Sequence, residues 1–138
     1  MIIKMSLRFR IEPRSEYLYV EITGTWDRND TWNGSISVLE ASAQYKLSLV
    51  LMDNRDAHGS IHLIDRWNYA NFMAEKIFEY IFAGKFPIIR LSYLGDELID
   101  ANRFGQLVAN NRGVSLIATK DPVEAFTYLG LRVPDDEE

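Results

Sequence analysis

The chain has 138 residues, of which 47% are hydrophobic and 25% charged, a composition typical of one globular domain with a full core. Its 20 acidic and 15 basic residues give a net charge of −5, which disfavours nucleic acid as a partner because that binding depends on neutralising phosphates. The absence of cysteine excludes disulfides, thiolate chemistry and sulfur-ligated zinc, and the two histidines leave little material for a metal site.

The first predicted elements are two strands and a helix. Residues 5–11 and 17–23 alternate between apolar and polar side chains, which is the period of a half-buried strand. The turn-forming segment 13–16 separates them, so the pair predicts an antiparallel hairpin. Asn29 or Asp30 is the expected N-cap of the helix that follows. Its apolar stripe consists of Trp32, Ile36, Leu39 and Ala43.

Three buried strands, each followed by a helix, account for the rest of the chain. The aliphatic runs that predict these strands cover residues 47–52, 86–93 and 114–119. The first two of the following helices are predicted over residues 61–82 and 97–112. Asp121 caps the last helix, and Gly130 ends it. The order ββαβαβαβα predicts an α/β fold, with a mixed sheet of about five strands and helices packed against it.

The expected organisation is a single domain over residues 1–131, followed by a disordered acidic tail over residues 132–138. No stretch approaches the ~20 apolar residues that span a bilayer, and the N-terminus lacks the apolar segment of a secretory signal. We therefore expect a cytoplasmic protein without a transmembrane segment. The sequence also predicts no resident metal or cofactor.

This order of elements resembles the STAS domain and, more narrowly, the SpoIIAA-like group of small stand-alone bacterial proteins. The resemblance covers about residues 5–131, and its most specific segments are 50–59 and 114–129. In anti-sigma-factor antagonists of this superfamily, the third strand leads to an aspartate and, two positions later, to a serine that a kinase phosphorylates to switch partner binding. Here Asp53 matches the aspartate, but Arg55 stands at the serine position. The resemblance therefore implies a regulatory protein-binding module without that phosphorylation switch.

The densest polar cluster is predicted to lie in a loop between the third strand and the long helix. Its members are Asp53, Arg55, Asp56, His58 and Ser60. One interpretation is that Arg55, His58 and the free N–H groups of the helix bind a phosphate or carboxylate. The alternative is a structural turn in which Arg55 pairs with Asp56 and Gly59 supplies a positive φ. No base, nucleophile and orienting group stand at a spacing that demands catalysis, so we expect no enzyme activity.

The long predicted helix has an apolar face that is wider than a sheet usually covers. Its candidate surface or pocket residues are Trp67, Tyr69, Phe72, Met73 and Tyr80, and Phe72 is predicted to project from the polar side. These side chains either complete the core or form an exposed surface for a protein partner, a lipid or a membrane. Self-association is a specific form of the second interpretation, and it predicts a two-fold homodimer with Tyr69 and Phe72 near the axis.

Trp26 and Trp32 lie on either side of a polar segment at the end of the hairpin. They either line a pocket mouth together with the 53–60 loop or plug the end of the sheet. The alternative function is therefore carriage of a small apolar or lipid-like ligand, with transient membrane contact through apolar insertion. This alternative is also implied by the likeness of SpoIIAA-like folds to CRAL-TRIO lipid-transfer domains. The expected cavity lies between the long helix and the sheet, and its predicted lining is Trp26, Trp32, Trp67 and Phe78.

Overall fold

The sheet has the mixed topology that the sequence predicts. The structure is a computed structural model that describes residues 5–100 and 102–137. The strands are β1 (Leu7–Pro13), β2 (Leu18–Thr25), β3 (Leu49–His58), β4 (Arg90–Gly95) and β5 (Ser115–Thr119). They lie side by side in chain order, with β1 antiparallel to β2 and every other neighbouring pair parallel. The predicted order ββαβαβαβα and the mixed sheet are confirmed.

The helices divide unequally between the two faces of the sheet. They are α1 (Arg28–Tyr45), α2 (Leu63–Phe82), α3 (Phe104–Asn111) and α4 (Pro122–Tyr128). Helices α1, α2 and α3 cover one face, where Val50, Met52 and Leu91 belong to the larger core. Helix α4 covers the opposite face, where Leu51 and Leu94 belong to a second, smaller core. Successive side chains of each parallel strand point to opposite faces of the sheet and therefore pack into two separate cores.

Strand β3 is longer than predicted, and the expectation of a loop that begins at residue 53 is wrong. The apolar run ends near Met52, but backbone pairing with β2 continues to Thr25, which lies opposite His58. The pairing with β4 stops earlier, where Asn54 lies opposite Gly95. The end of β3 therefore has one paired edge and one open edge. Polar side chains are tolerated there because the apolar helices do not cover the whole segment.

Side-chain caps set the starts of α1 and α4, whereas α3 starts at a residue without one. Asp27 caps α1 instead of Asn29 or Asp30, because its carboxylate accepts from the backbone N–H of Asp30. The predicted helix over residues 97–112 is shortened to α3, which begins after Arg103 in a left-handed conformation (φ 49°). The predicted N-cap of α4 is confirmed, since the Asp121 carboxylate accepts from the N–H of residue 123 at 3.0 Å.

The segment after α4 folds back onto the second core. Leu131 and Val133 are partly buried against that core. Asp135–Glu137 forms one turn of 3-10 helix, and Glu137 pairs with Arg55 at 2.7 Å. Glu137 thus contacts an arginine on β3, and the domain boundary at residue 131 with a disordered tail after it stays a prediction. Residues 1–4 of the predicted domain and residue 138 of the tail lie outside the described residues.

Candidate functional site

A network of polar side chains surrounds Asp53 on the α4 face of the sheet. The Asp53 side chain is buried, and its two oxygens accept from Nε and Nη2 of Arg55 at 2.9 and 2.8 Å. The hydroxyl of Tyr19, on β2, donates to the same carboxylate at 2.8 Å. Asp53 and Arg55 stand two residues apart on one strand, so their side chains point to the same face. This spacing makes the bidentate ion pair possible.

The network lowers the pKa of Asp53. Burial alone raises the pKa of this carboxyl, but hydrogen bonds from Arg55 and Tyr19 outweigh burial and give a net decrease. The same contacts act oppositely on the partners. Burial and the neighbouring carboxylate raise the pKa of Tyr19, and the hydrogen bond to Asp53 raises that of Arg55. At neutral pH the cluster therefore consists of a carboxylate, a guanidinium and a neutral phenol.

The remaining members of the predicted cluster do not join this network. Asp56, His58 and Ser60 are exposed. His58 Nδ1 lies 3.5 Å from Glu97 Oε2, which also accepts from the backbone N–H of Gly59 at 2.6 Å. The structure thus brings together two of the five predicted site residues. The alternative pairing of Arg55 with Asp56 is wrong, because the guanidinium binds Asp53, whereas Gly59 has the predicted positive φ.

Most of the predicted apolar residues of α2 pack inside the protein. Met73 is fully buried, and the ring of Tyr80 stacks on Phe86. The ring centroid of Trp32 lies 5.3 Å from that of Tyr69 and 5.2 Å from that of Phe72. The prediction that Phe72 projects from the polar side is wrong, because α1 places Trp32 against it. The predicted dimer with Tyr69 and Phe72 at its axis gains no support, since both rings have intramolecular partners.

Three apolar side chains at the start of α2 remain exposed, and we call them the α2 surface. They are Leu63 (61% exposed), Ile64 (62%) and Trp67 (44%). Trp67 is a predicted surface residue, whereas Leu63 and Ile64 are not among the candidate site residues predicted from the sequence. The sequence signal for this surface is that Trp67 follows Leu63 by four residues and Ile64 by three. Side chains at these two spacings are neighbours on a helix.

A cavity of about 120 Å³ lies between α2, α3 and the sheet. Trp26 lines it, as predicted, but Trp32 stacks against α2 and Trp67 is exposed. Tyr93 on β4 is not among the predicted site residues, yet its ring lines the cavity and its hydroxyl lies 2.7 Å from that of Tyr69. Alternation along β4 places Tyr93 on this face and was the signal that could have found it. Burial, with a contribution from Tyr69, raises the pKa of Tyr93 well above its ordinary value.

Residues 5–100 and 102–137, which the structure describes, can be compared with the requirements of a metal site and of a membrane-spanning helix. Within them, no group of three or more His, Asp or Glu side chains converges as a metal site. No helix in the same ranges combines the length and apolar character needed to cross a bilayer.

Two solved structures resemble this chain along almost its whole length. An uncharacterised protein of the DUF3478 family from Shewanella loihica PV-4, described as having a SpoIIAA-like fold, is 19% identical, with 94% of this chain and 98% of that chain covered and a TM-score of 0.50. An anti-sigma factor antagonist from Mycobacterium paratuberculosis is 16% identical, with coverages of 91% and 95% and a TM-score of 0.51. The sequence matches no protein-family model and no curated protein. Together with the sheet order and the placement of α1 to α4, these similarities show that the chain has the SpoIIAA-like α/β fold.

Proposed function

We propose that the chain is a cytoplasmic, non-catalytic regulatory module that binds another protein through the α2 surface. The observation that favours this function is the exposure of Leu63, Ile64 and Trp67 side by side. Contiguous apolar patches on small proteins usually serve contacts, and tryptophan is enriched among the residues that dominate binding energy. The surface stands just after exposed Ser60 at the end of β3, which is the edge where α/β folds commonly bind partners.

The chemistry around Asp53 supports a binding role over a catalytic one. Its carboxylate already accepts from Arg55 and Tyr19, so a general base would have to break a bidentate ion pair before acting. His58 and Ser60 are both exposed, and His58 faces Glu97. A nucleophile needs a positioned base and an orienting group, and these residues do not supply that set.

The similar anti-sigma factor antagonist adds support for a regulatory protein contact. In the anti-sigma-factor antagonists that this chain resembles, a phosphorylated serine two residues after the aspartate switches that contact. Arg55 occupies this position and binds Asp53 with two hydrogen bonds. We therefore propose that regulation of this chain does not use phosphorylation at that position.

Replacing Leu63 and Trp67 together by Ser should abolish partner capture without unfolding the domain, because they are 61% and 44% exposed and belong to neither core. The measurement is affinity capture with tagged protein from the native host, followed by mass spectrometry. Phe82→Ser is the matched control, since Phe82 is exposed at the opposite end of the same helix. Capture of the same protein by wild type, the double variant and the control would refute the assignment of this surface.

Light scattering on the same variants distinguishes a foreign partner from a second copy. A wild-type mass of twice 16.0 kDa that returns to one chain in the Leu63→Ser/Trp67→Ser variant would identify the partner as another copy. Such a dimer should bury roughly 1,200 Å² or more. A wild-type mass of one chain would exclude the homodimer and leave the α2 surface to another protein.

A second candidate function is binding of a small, mainly apolar molecule, and the cavity beside Tyr93 favours it. Its volume of about 120 Å³ approaches the ~150 Å³ of an engineered apolar cavity that binds benzene. We expect Ala118→Leu, which adds atoms to the lining, to abolish benzene-induced shifts in the NMR spectrum of the cavity residues. Ala43→Leu is the control, because Ala43 packs on the core outside this lining. Equal benzene shifts in all three proteins would contradict binding in this cavity.

A further inference from the structure

Arg55 binds a carboxylate of the chain's own C-terminal segment. Its Nη1 donates to Oε2 of Glu137 at 2.7 Å, across 82 positions of sequence. The Glu137 side chain is 16% exposed, so most of it is enclosed. We propose that Arg55 forms a binding site for an acidic peptide segment of a protein partner, and that residues 131–137 occupy this site until such a segment displaces them.

The site is organised before any partner arrives. Asp53 holds the guanidinium through Nε and Nη2, which leaves the Nη1 edge to face the tail. Asp53 is itself held by the Tyr19 hydroxyl and by the backbone N–H of Arg55. Because the Arg55 side chain is already oriented, it loses little conformational entropy when a carboxylate binds it.

The resident segment indicates which peptide chemistry fits. Leu131 and Val133 pack against the second core, and the N–H of Glu137 donates to the Pro134 carbonyl to form the turn that presents its carboxylate. A matching ligand therefore has aliphatic side chains followed by an acidic turn. This pattern combines an apolar anchor with a charge-assisted hydrogen bond, which is a common mode of peptide recognition.

The charges around the site favour a short acidic peptide over a phosphate-rich polyanion. The guanidinium of Arg14 lies 4.2 Å from the ring centroid of Tyr19 and adds a second positive charge nearby. Asp53 keeps its negative charge in the site after the tail has left, and the whole chain has a net charge of −5. A phosphate-rich ligand such as nucleic acid would meet repulsion from these groups.

The tail is held in a way that allows exchange. Arg55 is 38% exposed, so solvent reaches its pair with Glu137 and screens it more than it would a fully buried pair. The tail stays bound mainly because it is tethered, since a short linker gives it a local concentration on the order of millimolar at the site. A partner segment must therefore bind tightly enough, or be concentrated enough, to displace the tethered tail. The site faces α4, whereas the α2 surface lies on the opposite side of the sheet, so the two proposals concern separate contacts.

The test uses the full chain and a synthetic peptide with the sequence of residues 131–137. Glu137→Gln removes the tail carboxylate and leaves Arg55 and Asp53 unchanged. NMR titration should give saturable shifts of the Arg55 Nε–H and of the Asp53 and Arg55 backbone amides. The variant should require about tenfold less peptide than wild type to reach half saturation, because its own tail competes less.

A matched peptide in which Asn, Asn and Gln replace the three acidic residues is the control, and it should cause no shift at these positions. Arg55→Gln, combined with Glu137→Gln, should abolish the response to the acidic peptide. Three results would overturn the proposal: equal responses to the acidic and amide peptides, the same half-saturation point for wild type and Glu137→Gln, or no response in either protein. These readouts need no α2 partner, so their failure is distinct from failure of the proposed function.

Discussion

Replacing Met73 by Ala is expected to lower the free energy of unfolding by about 2–5 kcal/mol, the usual cost of truncating a large core side chain to Ala. Met73 is 0% exposed in the middle of α2 and belongs to the larger core. Ile64, on the same helix, is 62% exposed, and Ile64→Ala should change the free energy of unfolding by less than about 1 kcal/mol.

Urea denaturation of the two variants at pH 7 measures this contrast. The pair separates the two interpretations of the wide apolar face, because the sequence alone allows Met73 to be either core or exposed surface. Similar losses of stability in both variants would contradict the assignment of Ile64 to the α2 surface. A loss below about 1 kcal/mol for Met73→Ala would contradict its place in the core.

Replacing Arg55 by Ala is expected to lower the free energy of unfolding by about 2–3 kcal/mol at pH 7, because a buried carboxylate is left without its charged partner. Asp53 accepts three hydrogen bonds from Arg55 in the wild type. The variant removes the two that the guanidinium donates, whereas the backbone N–H of residue 55 still donates. Arg10→Ala is the control. Arg10 pairs with Glu12 and Glu21 on the exposed side of β1, so we expect its loss to leave the free energy of unfolding nearly unchanged.

The pH dependence of the Arg55→Ala effect gives a sharper test. The pKa of Asp53 is lowered in the folded wild type, so its contribution to stability is present above the unfolded-state pKa and is lost as pH falls through the folded-state value. Without the guanidinium, the pKa of Asp53 in the folded state should rise above its wild-type value, because only Tyr19 and the backbone N–H then oppose the effect of burial. Protonation of Asp53 then removes the unpaired charge. The difference in free energy of unfolding between wild type and Arg55→Ala should therefore shrink as pH falls below about 4.

Urea denaturation between pH 3 and pH 7 checks this sign. A double variant, Asp53→Asn/Arg55→Ala, should lose less stability at pH 7 than the sum of the single losses, because Asn has no charge to leave unpaired. A deficit that is constant with pH, or single losses that add fully, would mean that the Asp53–Arg55 pair is not the source of the effect.

The order of strands and helices follows from the sequence by itself. Aliphatic runs near 47–52 and 114–119 are followed by helical periodicity, and short-range pattern is enough to predict parallel strands joined by helices. The cap at Asp121 is equally local, since its carboxylate binds an N–H two residues away. Such features depend on neighbours within one helical turn or one strand, which is the range over which residue pattern is informative.

The functional surfaces depend on contacts between distant segments. Pairing with β2 extends β3 to His58, and α1 brings Trp32 onto Phe72 and so removes that ring from the surface. Arg55 binds Asp53 on one side and Glu137, 82 residues away, on the other. Periodicity shows which face of an element is apolar, but not which other element covers it. Only the tertiary structure decides that, because burial and pairing depend on where the chain returns in space.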